Sequence, residues 1–163
     1  MIQIDSREHQ KVIGGIKKAF DAAGEKWFVS KLYVGDYMNY DNPRLVVDRK
    51  QNLSELCANV CQQHRRFRDD MIRANEAEIK LVFLCEHGKG IEKLDDVLWW
   101  ENPRAKKRVK KNGIWIEQEQ KVMHGDVLYK ILCTMQRKYG VEFLFCDKKD
   151  TGKRIMELLK NGA

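Results

Sequence analysis

The sequence lacks the features that mark a membrane-embedded, secreted or modular chain. It has only two prolines, Pro43 and Pro103, each preceded by asparagine. Both read as turn residues rather than parts of a stiff linker. No apolar run approaches the length that crosses a bilayer. The opening residues MIQIDSRE have neither the basic block nor the apolar block of a secretory leader. Cysteine is sparse and odd in number: Cys57, Cys61, Cys85, Cys133 and Cys146. That set, with three members inside apolar runs, argues against a disulfide framework and for reduced thiols in a cytoplasmic protein. There is no internal repeat and no low-complexity segment.

Charge, by contrast, is plentiful. Thirty-one Lys and Arg residues against twenty-four Asp and Glu leave a net charge of +7. An excess of this sign favours a polyanionic partner through counterion release, without choosing between DNA, RNA and an acidic membrane surface. With 163 residues, 43% of them hydrophobic, the chain is long enough for one α/β domain with a real core. A single domain is expected over residues 1–163.

The pattern along the chain is alternating. Ile2 to Asp5 reads as a short strand, and Ser6 as the cap of a helix striped by Val12, Ile13, Ile16, Ala19 and Phe20, with Gly24 at its end. Trp27 to Leu32, Asp36 to Tyr40 and Arg44 to Lys50 read as strands. One long helix is expected next, opened by an Asn52/Glu55 capping box. Its stripe is Leu53, Leu56, Cys57, Val60 and Cys61, continued by Phe67 and Met71. Ile79 to Cys85 and Val141 to Cys146 are apolar enough to be strands buried on both faces, and helices are expected over 127–138 and from Asp150 or Thr151 onward. Between them, residues 86–120 form an irregular, basic insert. The order predicts a mixed central sheet with helices on its faces.

The residues that carry chemistry fall on neighbouring strands. Asp36 begins one, and Asp48 lies near the end of the next. Lys50 follows Asp48 by two residues, so both project from one strand face. Two carboxylates and an ammonium gathered there make a hard, oxygen-rich site suited to Mg²⁺ or Mn²⁺. With such an ion, a bound water gains acidity and negative charge developing on a phosphate is offset, while Lys50 orients the water or stabilises the transition state.

Their surroundings sharpen the reading. The chain carries IDSRE ending at Glu8, GDY over Gly35 to Tyr37 and VVDRK over Val46 to Lys50. An aspartate followed by Asp-x-Lys on an apolar strand resembles the PD-(D/E)XK nuclease signature. The three segments in order resemble the XPF/Hef family of structure-specific endonucleases, in a small version of the kind encoded by bacteria and prophages. The resemblance extends through VEFLFC and its flanking helices, so it covers nearly the whole chain. It implies a restriction-endonuclease-like α/β fold and metal-dependent hydrolysis of phosphodiester bonds in branched or structured DNA, in recombination or repair. It also implies a homodimer built through the C-terminal helices. Position by position, it makes Asp36, Asp48 and Glu8 metal ligands, Lys50 the catalytic lysine and Arg49 a supporting residue on the opposite strand face. Asp5 and Arg7 support the site. The sequence has Asp48 where the family usually has glutamate, and Glu55 stands one position beyond the family's last acidic residue, where Ser54 falls.

Other features are weighed against plainer alternatives. Glu55 serves equally well as a capping residue, and Glu8 as a charge at a helix start. Cys57, Cys61 and His64 share a helix face but have no fourth partner at zinc spacing, so core packing is expected. His87 and His124 stand in loops and are assigned no role. Arg104, Lys106, Lys107, Arg108, Lys110 and Lys111 supply six basic residues in eight and are expected to contact DNA phosphates. Asn112-Gly113 marks a hairpin turn there. Arg65, Arg66 and Arg68 form a second basic surface. Trp99-Trp100 is expected to cover a core edge rather than to stack on a base. Two other classes stand beside the nuclease: a catalytically silent DNA-binding module, which retention of Asp36, Asp48 and Lys50 disfavours, and a non-catalytic partner in a repair complex.

Overall fold

The computed structural model describes residues 1–162. Six strands form one sheet: β1 (Ile2–Ile4), β2 (Trp27–Val29), β3 (Tyr37–Asn39), β4 (Asn42–Lys50), β5 (Lys80–Glu86) and, later in the chain, β8 (Glu142–Cys146). Their spatial order is β2-β1-β3-β4-β5-β8. β1 and β3 pair antiparallel, as do β3 and β4, while β4, β5 and β8 run parallel. The mixed sheet read from the sequence is therefore present.

Each face of the sheet has its own core, and strand alternation decides which residue serves which. Val46, Leu81, Phe83 and Phe143 pack under helices α2 (Leu53–Cys61), α3 (His64–Glu76) and α4 (Gly125–Tyr139). Val47, Val82, Leu84 and Tyr37 pack under α1 (Gly14–Ala22) and α5 (Thr151–Asn161). β4 and β5 are apolar on both faces because both faces are covered. No helix is long and apolar enough to cross a membrane, and all five cysteines are free.

Several expectations are corrected. Ser6 caps no helix: α1 begins at Gly14 after a run of turns, and the first turn is organised by Asp5, whose Oδ1 accepts from the Arg7 backbone N–H at 2.7 Å. The long helix after β4 is two helices. Val60 and Phe67 remain in phase, so periodicity gives no sign of the break. It is visible only in the backbone, where Gln63 N–H reaches Ala58 rather than Asn59. Cys61 is exposed, so it does not belong to the core stripe. Of the two tryptophans, Trp100 is buried and Trp99 is 84% exposed. The apolar helix surface expected to form a homodimer is mostly internal, with Ile131 and Met156 partly buried. Leu128, Leu132, Met135, Ile155, Leu158 and Leu159 are all buried within one chain.

The basic insert is not irregular throughout. A 3-10 turn (Leu94–Trp99) packs on α4, and a second (Pro103–Ala105) leads into a hairpin of β6 (Lys106–Lys111) and β7 (Ile114–Glu119). Asn112 and Gly113 both adopt positive φ, at 51° and 79°, as a two-residue hairpin turn requires. α4 ends where expected, with Gly140 in the left-handed conformation at φ 66°.

Candidate active site

The start of β3 and the C-terminal ends of β4 and β5 form one rim of the sheet. Tyr37 pairs with Val47, so Asp36 and Asp48, one step outside that pair, sit side by side on the same face. Asp36 is locked at both ends of its residue. Its N–H donates to Val47 O at 2.9 Å, and its Oδ2 accepts from Arg49 N–H at 2.7 Å. Gly35 makes the approach possible. Its φ is +70°, and a Cβ there would collide with Val46 Cγ1, so only glycine lets the chain enter β3 this close to β4.

Lys50, two residues after Asp48, turns to the same side. Its Nζ lies 2.8 Å from Asp48 Oδ1 and also stands 5.5 Å and 5.6 Å from the ring centres of Phe67 and Phe83. Burial alone would drive the ammonium towards neutrality, but Asp48 outweighs it and holds the Lys50 pKa above its ordinary value. Asp36, Asp48 and Lys50 open onto a cavity of about 350 Å³, whose walls include Glu8, Glu55, Asn59, Arg66, Asp70 and Arg73.

Behind this face lies a buried polar network. Arg49, alternating to the other side of β4, donates from Nε to Glu8 Oε2 at 2.9 Å and from Nη1 to Glu86 Oε1 at 3.3 Å. Tyr37 Oη donates to Glu8 Oε2 at 2.8 Å. Arg49 and Glu86 are almost completely buried. Burial pulls the Arg49 pKa down, but the hydrogen bonds and charge of Glu8 and then the charge of Glu86 carry it above its ordinary value. Beneath, Asp5 is fully buried and pairs with Arg7 at 2.5 Å. Burial raises its pKa, and the Arg7 contacts more than reverse that.

Of the residues expected from sequence, Asp36, Asp48, Lys50, Glu8, Arg49, Arg7 and Glu55 all border the cavity. Asp5 holds Arg7 from below. Glu8 is not a free ligand, since both of its oxygens accept from Arg49. Glu55 helps open α2, taking Gln51 N–H on Oε2 at 2.6 Å. Only Arg66 of the arginine trio faces the cavity; Arg68 lies in a separate groove against α4. His87 has a local task, its Nδ1 accepting Leu53 N–H at 3.1 Å at the start of α2. Tyr37, Glu86 and Asp70 were missed. The GDY segment gave a signal for Tyr37, but Glu86 reads only as the polar end of an apolar strand.

The donor set fits a divalent cation. Burial, then Asp48, then Glu8 push the Asp36 pKa well above its ordinary 3.8, outweighing the Arg49 N–H and the Lys50 charge, as expected for buried, crowded carboxylates. Among the described residues no three His, Cys, Asp or Glu side chains converge into a ready-made cage. Mg²⁺ does not need one, because it is commonly held by one or two carboxylates with waters and phosphate oxygens completing its shell.

A pH-dependent result follows. The folded-state pKa of Asp36 lies above its unfolded value, so its contribution to stability is full below the ordinary carboxylate range and is lost as pH rises through the elevated pKa. In EDTA, Asp36→Asn is therefore expected to raise the Tm at neutral pH by about 3 °C, with the gap closing towards pH 3.8. Mg²⁺ or Mn²⁺ should then raise the Tm of the wild type more than that of the variant. Equal melting of the two proteins in EDTA at every pH would contradict the carboxylate crowding.

The comparisons with known proteins agree with this fold. Residues 4–158 match the ERCC4 domain family, and the chain belongs to that family. Solved structures that share the fold include two of XPF. XPF from Aeropyrum pernix matches with a TM-score of 0.63 and 17% identity, over 98% of this chain and 63% of that one. XPF from Aeropyrum pernix in complex with DNA matches with a TM-score of 0.65 and 19% identity, over 98% and 62%. The chain thus spans under two thirds of the length of either relative. No curated protein matches by sequence.

Proposed function

We propose that this protein is a metal-dependent endonuclease that hydrolyses phosphodiester bonds in branched or otherwise structured DNA. The observation that carries the reading is the convergence of Asp36, Asp48 and Lys50 on one cavity rim, in a fold shared with a nuclease-type domain solved with DNA. Asp36 and Asp48 would hold Mg²⁺ or Mn²⁺, which supplies an acidified water and charge neutralisation at the phosphate. Lys50, held charged by Asp48, presents N–H donors to the attacking water or to a phosphate oxygen. Arg49 fixes Asp36 through its backbone N–H and Glu8 through its side chain. Arg66 and Arg73 bring positive charge to the cavity wall for the flanking phosphates.

The test is a panel of labelled linear, flap, fork and four-way DNAs, with Mg²⁺ or Mn²⁺ and with EDTA. Cleavage is expected only with metal and preferentially on the structured forms. Undiminished cutting in excess EDTA would refute metal dependence. Binding without turnover would favour a silent DNA-binding module, and neither binding nor cutting would favour a non-catalytic partner. A homodimer has no support from the buried residues of the C-terminal helices. A groove containing Ile131, Thr134 and Tyr139 on α4, beside Arg68, offers one a partly apolar surface.

DNA affinity is proposed to come largely from the hairpin. β6 is exposed except at Val109, so its cations face the solvent where phosphate can reach them, Lys106 beside the Glu117 carboxylate at 3.6 Å. Changing Lys106, Lys107, Lys110 and Lys111 to Gln should weaken binding to all DNAs alike. The slope of log affinity against log salt should flatten by about 0.9 for each phosphate that the variant no longer neutralises. An unchanged slope would show that the hairpin cations do not touch DNA.

A further inference from the structure

The β6–β7 hairpin packs extensively only on itself. A two-stranded ribbon in water is marginal unless something else covers it. Yet this one ends in large apolar side chains. Ile114 is 66% exposed and Trp115 58% exposed. Trp115 pairs across the ribbon with Lys110. Arg108 and Lys110 stand over its ring, each 5.9 Å from the centre. An exposed indole between two cations, on a ribbon with five basic residues on β6 and two acidic ones on β7, combines a π-face with a track of positive charge. Unpaired nucleotides, with a flat base and a phosphate at each step, match both.

The position of the ribbon's base adds a second argument. Arg104 and Lys121, at its foot, line a groove with Cys57, Ala58 and Cys61 of α2. The opposite side of α2, through Glu55 and Asn59, lines the active-site cavity. One helix therefore separates the arm's root from the proposed metal site, about 10 Å, and Trp115 lies four residues further out along the ribbon, about 13 Å at the rise of a strand.

We infer that Trp115 is a stacking platform for an unpaired DNA strand, so that the hairpin arm selects substrates with a single-stranded segment beside the scissile duplex. This rests on the nuclease reading and extends it to substrate class. It assigns separate duties: the lysines of β6 hold any DNA, and the indole distinguishes unpaired from paired DNA.

The experiment is binding by fluorescence anisotropy in EDTA, which leaves the DNA uncut, to a fork with one single-stranded arm and to a blunt duplex of equal charge. Trp115→Ala is expected to weaken fork binding about tenfold and to leave duplex binding within about twofold. Trp115→Phe, which keeps a π-face and the cross-strand packing, should retain most of the fork affinity. Titration with oligothymidylate should quench indole emission in the wild type and in Trp99→Phe, and much less in Trp115→Phe. An equal loss on fork and duplex, or no loss on either, would overturn the inference, as would quenching that survives in Trp115→Phe. Tighter binding to oligouridylate than to oligothymidylate would overturn the assignment to DNA. A wild type that binds neither DNA would overturn both the inference and the DNA reading. Cleavage of the same fork in Mg²⁺, measured in parallel, reports on the nuclease reading alone.

Discussion

Asp48→Ala is expected to lower the rate of DNA cleavage at saturating Mg²⁺ by about 1000-fold or more. Loss of a ligand that places a catalytic cation removes several kcal/mol of transition-state stabilisation, and each 1.36 kcal/mol corresponds to about a tenfold change in rate. Asp48 carries the effect in two ways, as one of the paired carboxylates and as the partner of Lys50 at 2.8 Å. The fold should survive. Removing Asp48 relieves the repulsion that raises the Asp36 pKa, while Asp36 and Glu55 still balance the Lys50 charge. The Tm should therefore move by only a few degrees. The double variant Asp48→Ala/Lys50→Ala should be little slower than the slower single, because groups that act as a unit do not add. Cleavage within tenfold of wild type by folded Asp48→Ala would remove these residues from the chemistry.

Replacing Arg49 with Ala should have the largest effect on stability. Its guanidinium is buried between Glu8 and Glu86, with side-chain exposures of 3%, 11% and 3% respectively. Taking the cation away leaves two carboxylates in a low-dielectric layer without a partner. Breaking a buried pair in this way costs about 3–5 kcal/mol, which for a domain of this size lowers the Tm by roughly 10 °C. Tyr37, whose hydroxyl is committed to Glu8, cannot replace the lost charge. Adding Glu86→Gln to Arg49→Ala should recover part of the loss by removing one orphaned charge. Thermal melts at neutral pH measure both effects. A drop of less than about 3 °C for Arg49→Ala would show that water reaches the network and that it holds Glu8 only weakly.

The two halves of the site differed in how legible they were. Asp36, Asp48 and Lys50 could be read because a strand has period two. Once Val46-Val47 identified a central strand, the faces of Asp48, Arg49 and Lys50 followed. Arg49 could be placed on the far side of β4, but its partners could not be named. Glu86 reaches it through a parallel pairing thirty-seven residues away, and no local pattern encodes that separation. The break after Cys61 was invisible for a related reason. The apolar spacing continues across it, while α3 carries Phe67 onto Phe83 of β5. The hairpin was half legible: Asn112-Gly113 announces a turn, but Lys106 to Lys111 show no apolar alternation because neither face of that ribbon meets a core.

The foot of that ribbon has a structural consequence of its own. Gln120 N–H donates to Ala105 O at 2.7 Å, so the arm leaves and rejoins the body at almost the same point. Everything between those two residues is attached like a cartridge at a single socket. Neither of the two cores includes a residue from it. Arms of other lengths or compositions can be exchanged at this socket, in evolution or at the bench, without repacking the domain. On the proposed nuclease reading, substrate choice and bond cleavage are therefore free to change independently of each other.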